Sequence, residues 1–176
     1  MAMMARPAWA AYLILALMIG VPASAQAQDD DGSFTDHAAR QIACAHPPDP
    51  TAMLLYLNKA KRIDLKNGER IDSETCWRLR PPLAIAAISF THICGSAEDP
   101  LLIELFPRLY YRGPGTSAGT GLRLITDAER SAVDDWIKRI NERALVKGET
   151  KLVVGSPSFA AGKTEVSCNS TSFLGD

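Results

Sequence analysis

The stretch Leu83-Ala-Ile-Ala-Ala-Ile-Ser-Phe-Thr-His-Ile-Cys94 decides the fold of this 176-residue chain. It is the most apolar run outside the amino terminus, and its composition alone would also suit a helix. However, Pro81-Pro82 precede it, Gly95 ends it, and Phe90 and Ile93 favour sheets. We therefore predict a strand over residues 83–94.

Three other segments predict helices. A short helix is expected within residues 35–44. A second covers residues 51–62, because Asp49-Pro50 matches an N-cap followed by a proline in the first turn. A third covers residues 126–147, where Thr126-Asp-Ala-Glu129 matches a capping box and apolar side chains then recur at helical spacing.

Short strands are expected between these helices. The segment from Ile63 to Ile71 alternates around Asn67-Gly68, which predicts a hairpin with Leu65 opposite Ile71. Helices and antiparallel strands in this mixed order indicate an α+β domain with a small antiparallel sheet, two or three helices and disulfide bonds. The remaining predicted strands cover residues 101–106, 109–112, 121–125, 151–154 and 165–168.

The first 27 residues have the organisation of a secretory signal peptide of bacterial type. One cationic residue, Arg6, precedes an uncharged apolar run over residues 10–21. This run of about 12 residues is too short for a transmembrane helix, which needs about 20. Both Ala23-Ser-Ala25 and Ala25-Gln-Ala27 satisfy the small-residue cleavage rule, and we expect cleavage after Ala27 with Ala25 as the alternative.

Cleavage would leave one domain without a membrane span, located in the periplasm or secreted. We expect residues 28–48 to form a flexible leader and a short helix, and residues 49–176 to form a single α+β domain. Of 19 basic and 20 acidic residues, cleavage removes only Arg6, which leaves 18 against 20 and a net charge of −2. Because positive and negative charges are nearly equal in number, the composition indicates neither nucleic acid nor an anionic membrane surface as a partner.

All four cysteines, Cys44, Cys76, Cys94 and Cys168, follow the predicted signal peptide. An even number of cysteines in an oxidising compartment predicts two disulfides. Three pairings are possible. We prefer Cys44–Cys76 with Cys94–Cys168, because this choice closes the shortest loops.

Two histidines offer an alternative use for two of these cysteines. Cys44-Ala-His46 and His92-Ile-Cys94 are mirrored pairs, and residues two apart on a strand face the same side. Together they could supply a Cys2His2 set for zinc or copper. Structural zinc sites space their cysteines differently, and Pro47 follows His46. We therefore predict no metal and no other cofactor.

The glycine-rich segment from Gly113 to Gly121 contains Gly115-Thr-Ser117-Ala-Gly119, the pattern of a serine-hydrolase nucleophile elbow. That elbow needs a strand before the serine and a helix after it, whereas Pro114 and Thr120 occupy these positions. All three histidines also precede Ser117, opposite to the usual order in α/β-hydrolases. We interpret the segment as an exposed loop and predict no catalytic residue.

No motif identifies the activity of this chain. The leading hypothesis is a binding or interaction module of the cell envelope, with an unknown envelope or extracellular partner. The alternatives are a small exported hydrolase using Ser117 or a His92-centred site, and a Cys/His metal-binding protein. We interpret Tyr110 and Tyr111 as residues of an ordinary strand, with an aromatic recognition surface as the alternative. Trp77 and Trp136 are interpreted as core residues.

Export is open to a direct test. Residues 1–35, fused to a reporter that is active only outside the cytoplasm, should produce signal in a bacterium. Mass spectrometry of the exported chain should place its amino terminus at Gln28, or at Gln26 for the alternative cleavage. A product that retains Met1 and fractionates with the cytosol would contradict the prediction.

Overall fold

The computed structural model describes residues 40–114, 119–144 and 151–173, without the side chains of residues 143, 144 and 172. The predicted signal peptide, residues 28–39 of the predicted leader and Ser117 lie outside the described residues. Within them, six strands form one antiparallel sheet in the order β1-β2-β3-β4-β6-β5. The strands are β1 (Glu69–Ile71), β2 (Glu74–Ile85), β3 (Ile88–Ser96), β4 (Gly121–Thr126), β5 (Val153–Gly155) and β6 (Thr164–Asn169).

Helices precede and interrupt the run of strands. The α-helices are α1 (Pro50–Lys59), α2 (Pro100–Leu105) and α3 (Arg130–Ala144); residues 40–42 are also helical, and short 3-10 turns cover Leu65–Asn67 and Ser170–Phe173. The Thr51 N–H donates to the Asp49 carboxylate, so α1 begins with the predicted N-cap and proline. The α+β class is confirmed, but the six-stranded sheet is larger than the small sheet predicted.

The apolar stretch forms two strands and not one. Ile85 pairs with Ile88, so Ala86 and Ala87 alone make the turn between β2 and β3. Both alanines have positive φ angles, 43° and 73°, as a tight hairpin turn requires. Alanine carries no turn signal of the kind that glycine or asparagine provides. The prediction of a single strand over residues 83–94 is wrong for this reason.

β2 also runs through Pro81-Pro82, which the prediction places outside the strand. Arg78 pairs with His92 and Leu83 pairs with Phe90, so residues 79–82 of β2 lie opposite Thr91 alone. Proline has no N–H to donate to the neighbouring strand, and the ladder is interrupted where the two prolines stand. The result is an irregular bulge between β2 and β3, with four residues opposite one.

Local capping explains two further wrong predictions. Asp64 accepts the Lys66 N–H and starts a 3-10 turn, while β1 pairs with the first residues of β2, so the predicted hairpin over residues 63–71 does not form. Asp99 accepts the Leu101 N–H and starts α2 where a strand over residues 101–106 is predicted. Aspartate followed by a helix former competes well with the apolar pattern of a strand.

Two other expectations fail, and three strands are confirmed. Residues 109–112 are not a strand. Thr126 belongs to β4, where its hydroxyl donates to the Ser89 carbonyl and accepts the Ala128 N–H, so it does not cap a helix that begins at Arg130. Predicted strands 121–125, 151–154 and 165–168 correspond to β4, β5 and β6.

The main core lies on the face of the sheet that the helices cover. Trp77, Ile93, Leu124 and Val166 form one buried row across four neighbouring strands. Trp136 of α3 is fully buried in the same core, where its Nε1 donates to the Ile85 carbonyl oxygen at 2.7 Å. Both tryptophans are thus core residues, as predicted. The helices contribute Met53, Leu54, Leu57, Val133 and Ile140, and the segment before α1 contributes Ile42, Ala43 and Cys44.

The two predicted disulfides are confirmed, but the preferred pairing is wrong. Cys44 bonds to Cys168 on the covered face, and Cys76 bonds to Cys94, its direct partner in the β2–β3 ladder, on the opposite face. Strand pairing overrides loop length here, because it brings Cys76 and Cys94 together. For sequence separations of 124 and 18 residues, loop closure contributes about 5 and about 3 kcal/mol to stability.

None of the helices in the described part of the chain combines the length and the apolar character needed to cross a membrane.

The Ala86-Ala87 turn leads to a prediction about stability. A left-handed backbone costs an alanine roughly 1 kcal/mol, whereas asparagine and glycine adopt it readily. Replacing both residues (A86N with A87G) relieves this cost twice, about 2 kcal/mol, and the larger entropy loss of glycine offsets about 0.5–1 kcal/mol, so the free energy of unfolding should rise by about 1 kcal/mol in urea denaturation. Ala84→Gly, in the extended part of β2, is the matched control and should lower it by about 0.5–1 kcal/mol. A double variant less stable than the parent would contradict this turn.

Candidate functional site

β2 has a free edge beyond Cys76, beside the end of α1, because β1 is only three residues long. On this side β1 pairs with β2 only as far as Cys76, and no other described strand continues the pairing. The loop after α1 takes the vacant position: the Arg80 N–H donates to the Arg62 carbonyl oxygen at 2.9 Å. This hydrogen bond sets the width of the space between the loop and β2.

The end of α1 directs two cationic residues to this edge. The Arg62 N–H donates to the Leu57 carbonyl at 2.8 Å and the Lys61 N–H to the Asn58 carbonyl at 3.0 Å, which is a Schellman motif. Lys61 has a φ of 57° and occupies the left-handed position of this motif. Glycine is usual there, because a side chain costs roughly 1 kcal/mol.

The space between loop and strand is a cleft of about 460 Å³, here called the first cleft. Four cationic side chains line it, from Lys61, Arg62, Arg78 and Arg80, against the single carboxylate of Asp64. Arg78 and Arg80 are exposed and form no ion pair with any residue that the structure describes. The Asp64 carboxylate accepts hydrogen bonds from the backbone N–H of Lys66 and from the side-chain amide of Asn67. The first cleft is therefore strongly cationic.

A second cleft of about 500 Å³ lies on the other side of Arg78 and Arg80, which line both. His92, Asp127 and Lys163 contribute to its wall, and the Lys163 Nζ lies 2.7 Å from an Asp127 carboxylate oxygen. Burial lowers the pKa of His92, and the positive charges of Lys163 and Arg78 lower it further. The neutral form of the imidazole is therefore favoured.

One residue beside the His92 ring contacts it by a hydrogen bond. The Thr91 hydroxyl lies 2.9 Å from His92 Nδ1 and 3.3 Å from the Ile125 carbonyl oxygen. Its one hydrogen can be given to either of these two acceptors, so both tautomers of the imidazole fit this contact. The second cleft thus contains cations, one carboxylate and an imidazole.

The residues of the predicted Cys/His alternative do not come together. Cys44 lies on the covered face of the sheet and Cys94 on the opposite face, and each sulfur is bonded to another cysteine. His46 is exposed in the segment before α1. A Cys2His2 site therefore does not form in this structure.

The other sequence candidates are placed differently. Ser117 lies outside the described residues, so the hydrolase hypothesis stays a prediction. Tyr110 is buried and lies 2.6 Å from the Thr51 hydroxyl; burial raises its pKa to about 12. Tyr111 packs under the Arg70 guanidinium, 4.7 Å from the ring centre. Tyr110 is therefore a core residue, and the two rings do not form a shared recognition surface.

A second charge cluster, on the face opposite the helices, has a structural role. The Arg123 guanidinium lies 2.7 Å from a Glu74 oxygen and 3.1 Å from a Glu165 oxygen, which ties β2, β4 and β6 together. All three side chains are mostly buried. The adjoining cavity of about 10 Å³ holds at most one water molecule. This cluster stabilises the sheet and offers no space for a ligand.

The cleft cations are functional candidates that the sequence alone does not single out. Arg78 and Arg80 are two apart on a strand, which is the one local signal that they share a neighbourhood. Their approach to Lys61 and Arg62 depends on the hydrogen bond between loop and strand. No local pattern encodes that contact.

The charge cluster predicts a pH dependence of stability. Burial raises the pKa of Glu74 above its ordinary 4.5, and the opposing effect of Arg123 is smaller. The folded state therefore holds this proton more tightly than the unfolded state does. The resulting stability is present below pH 4.5 and is lost as the pH rises through the folded-state pKa.

Glu74→Gln removes this titration. The free energy of unfolding of the variant minus that of the parent should therefore increase from about pH 4 to about pH 7 in urea denaturation. The test is whether this difference in free energy increases or decreases with pH. Loss of the carboxylate contact to Arg123 changes the difference by a similar amount at both pH values, so it does not set the direction. A difference that decreases with rising pH would contradict the assigned cause.

Comparison of the chain with protein-family models, with curated proteins and with solved structures gives no match. The function is therefore inferred from the geometry of the clefts themselves.

Proposed function

We propose that this protein is an exported binding module of the cell envelope and that it binds an anionic ligand or partner group in the first cleft. The observation that carries the proposal is the presence of Lys61, Arg78 and Arg80 around one small cleft that Arg62 also lines, with a single carboxylate already engaged by its own loop. Export is supported by two disulfides, which are compatible with an oxidising location.

The charge of the cleft is a local property. The whole chain has a net charge of −1, so a general excess of basic residues does not explain four cations in one place. Like charges in proximity repel each other and destabilise the fold unless an anion neutralises them. Arg78 and Arg80 also present planar guanidinium groups, whose paired N–H donors fit a carboxylate or a phosphate.

The backbone of Lys61 adds an independent argument. Its left-handed φ of 57° stands at a position where glycine would give a more stable helix end. Strained residues are concentrated at functional sites, where the side chain offsets the cost by its function. Lys61 lines the first cleft, and we infer that its ammonium group contacts the anion there.

Anion binding should be visible as stabilisation of the folded protein. Inorganic phosphate should raise the melting temperature, because a ligand of the folded state adds RT ln(1 + [L]/Kd) to its stability. The double variant Arg78→Gln/Arg80→Gln should abolish this increase. Lys138→Gln/Arg139→Gln on the exposed surface of α3 removes the same charge and should leave the increase intact. Sodium chloride of equal ionic strength controls for screening. Equal responses of the two double variants would contradict the assigned site.

Lys61→Gly separates binding from stability. Removing the strained side chain should raise the free energy of unfolding by about 1 kcal/mol. The same substitution removes a cation from the cleft, so the stabilisation by phosphate should become smaller. A variant with a higher melting temperature and an unchanged phosphate response would show that Lys61 takes no part in binding.

A further inference from the structure

We propose that the indole N–H of Trp77 donates a hydrogen bond to the anion in the first cleft. This inference rests on the proposed function and adds a neutral donor from the core to the cations of the cleft. An indole N–H can donate but not accept, so its partner must carry a lone pair. The ligand therefore presents an oxygen acceptor to the core end of the first cleft.

Trp77 belongs both to the core and to the lining of the first cleft. The residue is 1% exposed, and its Nε1 atom is buried without a hydrogen bond to any residue that the structure describes. Buried N–H groups in proteins nearly always have a partner, because an unpaired one lowers stability. Trp136 shows the usual arrangement, since its Nε1 donates to the Ile85 carbonyl oxygen. The unpaired state of Trp77 indicates a partner that binds from outside the chain.

The segment that covers Nε1 also forms a wall of the first cleft. Asp64 and Asn67, at the two ends of the short 3-10 turn, line the cleft, and Gly68 follows the turn. A Cβ atom added to Gly68 would lie 2.6 Å from Trp77 Nε1, so the Gly68 backbone packs directly against the indole edge. An outward movement of this short segment would admit a ligand oxygen to Nε1, and Gly68 has no side chain to block it.

A second unpaired polar atom lies against the same glycine. The Thr75 hydroxyl is buried and has no hydrogen-bond partner among the described residues. Thr75 and Trp77 are two apart on β2 and face the same side, and the Thr75 methyl would lie 2.6 Å from the same added Cβ atom of Gly68. Both side chains thus pack against Gly68 with a polar atom unpaired. This concentration of unpaired groups marks the place where a polar ligand atom enters.

Nuclear magnetic resonance of the indole N–H groups tests the inference without any substitution. Of the three tryptophans, Trp9 lies in the predicted signal peptide, so the exported chain has two indole signals. During titration with inorganic phosphate, the Trp77 signal should move downfield and saturate with the same dissociation constant as the signals of Arg78 and Arg80. The Trp136 signal should stay in place, because its N–H already has a partner. Sodium chloride of equal ionic strength should move neither indole signal.

Substitutions of the two core tryptophans form a matched pair. Trp77→Phe removes the donor and should weaken phosphate binding roughly tenfold or more, as expected for one hydrogen bond to a charged group. Trp136→Phe removes an indole from the same core and should leave the dissociation constant unchanged while it lowers the melting temperature. A merely structural role of Trp77 would give the result expected for Trp136→Phe.

A neighbouring cleft of about 370 Å³, which Thr75 also lines, supplies a further control. The double variant Lys66→Gln/Arg108→Gln removes two cations from that cleft and should leave the response of the Trp77 signal unchanged. The arginine double variant of the first cleft should abolish this response. If the two variants behave in the opposite way, the oxygen enters from the neighbouring cleft and the inference is wrong.

The outcomes distinguish this inference from the proposed function. If phosphate moves the Arg78 and Arg80 signals while the Trp77 indole signal stays in place, the anion binds to the cations alone. The inference would then be wrong and the proposed function would stand. If phosphate moves none of these signals, both proposals are wrong.

Discussion

The interruption of the β2–β3 ladder at Pro81-Pro82 is the constraint on which the candidate site depends. Two successive prolines cannot donate to β3, so residues 79–82 leave the regular ladder and lie opposite Thr91 alone. Regular pairing resumes at Leu83, and the direction of β2 is kept. The strand thus passes through the core on both sides of the bulge. At the bulge it presents Arg78 and Arg80 to two clefts.

Rigid elements hold this irregular segment in place. Trp77 and Leu79 anchor β2 in the core beside the bulge, and the Cys76–Cys94 disulfide fixes its register to β3. The Cys44–Cys168 disulfide ties the segment before α1 to β6, which keeps α1 on the sheet. The cations therefore stand on a scaffold that is stable without them. Their mutual repulsion and the strained backbone of Lys61 lower the stability by amounts that such a scaffold tolerates.

Features with a local cause were predictable from the sequence, and features with a distant cause were not. The even cysteine count, the Asp49-Pro50 cap and the apolar face of α3 act through chemistry or spacing within a few residues, and each appears as expected. The turn at Ala86-Ala87 forms because the flanking strands impose it, although alanine does not favour it. The clefts were missed for a similar reason: Lys61 and Arg80 meet through a hydrogen bond between a loop and a strand edge that no spacing rule describes.

The measurement that tests the account most directly is a nuclear magnetic resonance titration of the protein with inorganic phosphate, followed at the backbone amides and at the arginine Nε–H groups. The largest and earliest shifts should belong to Arg78 and Arg80, together with the amide of Lys61 at the end of α1. Arg123, whose guanidinium is engaged by two carboxylates, should remain unchanged. Shifts confined to another surface, such as α2 with its exposed Leu101 and Leu105, would contradict the central claim that Arg78 and Arg80 of β2 form the binding site.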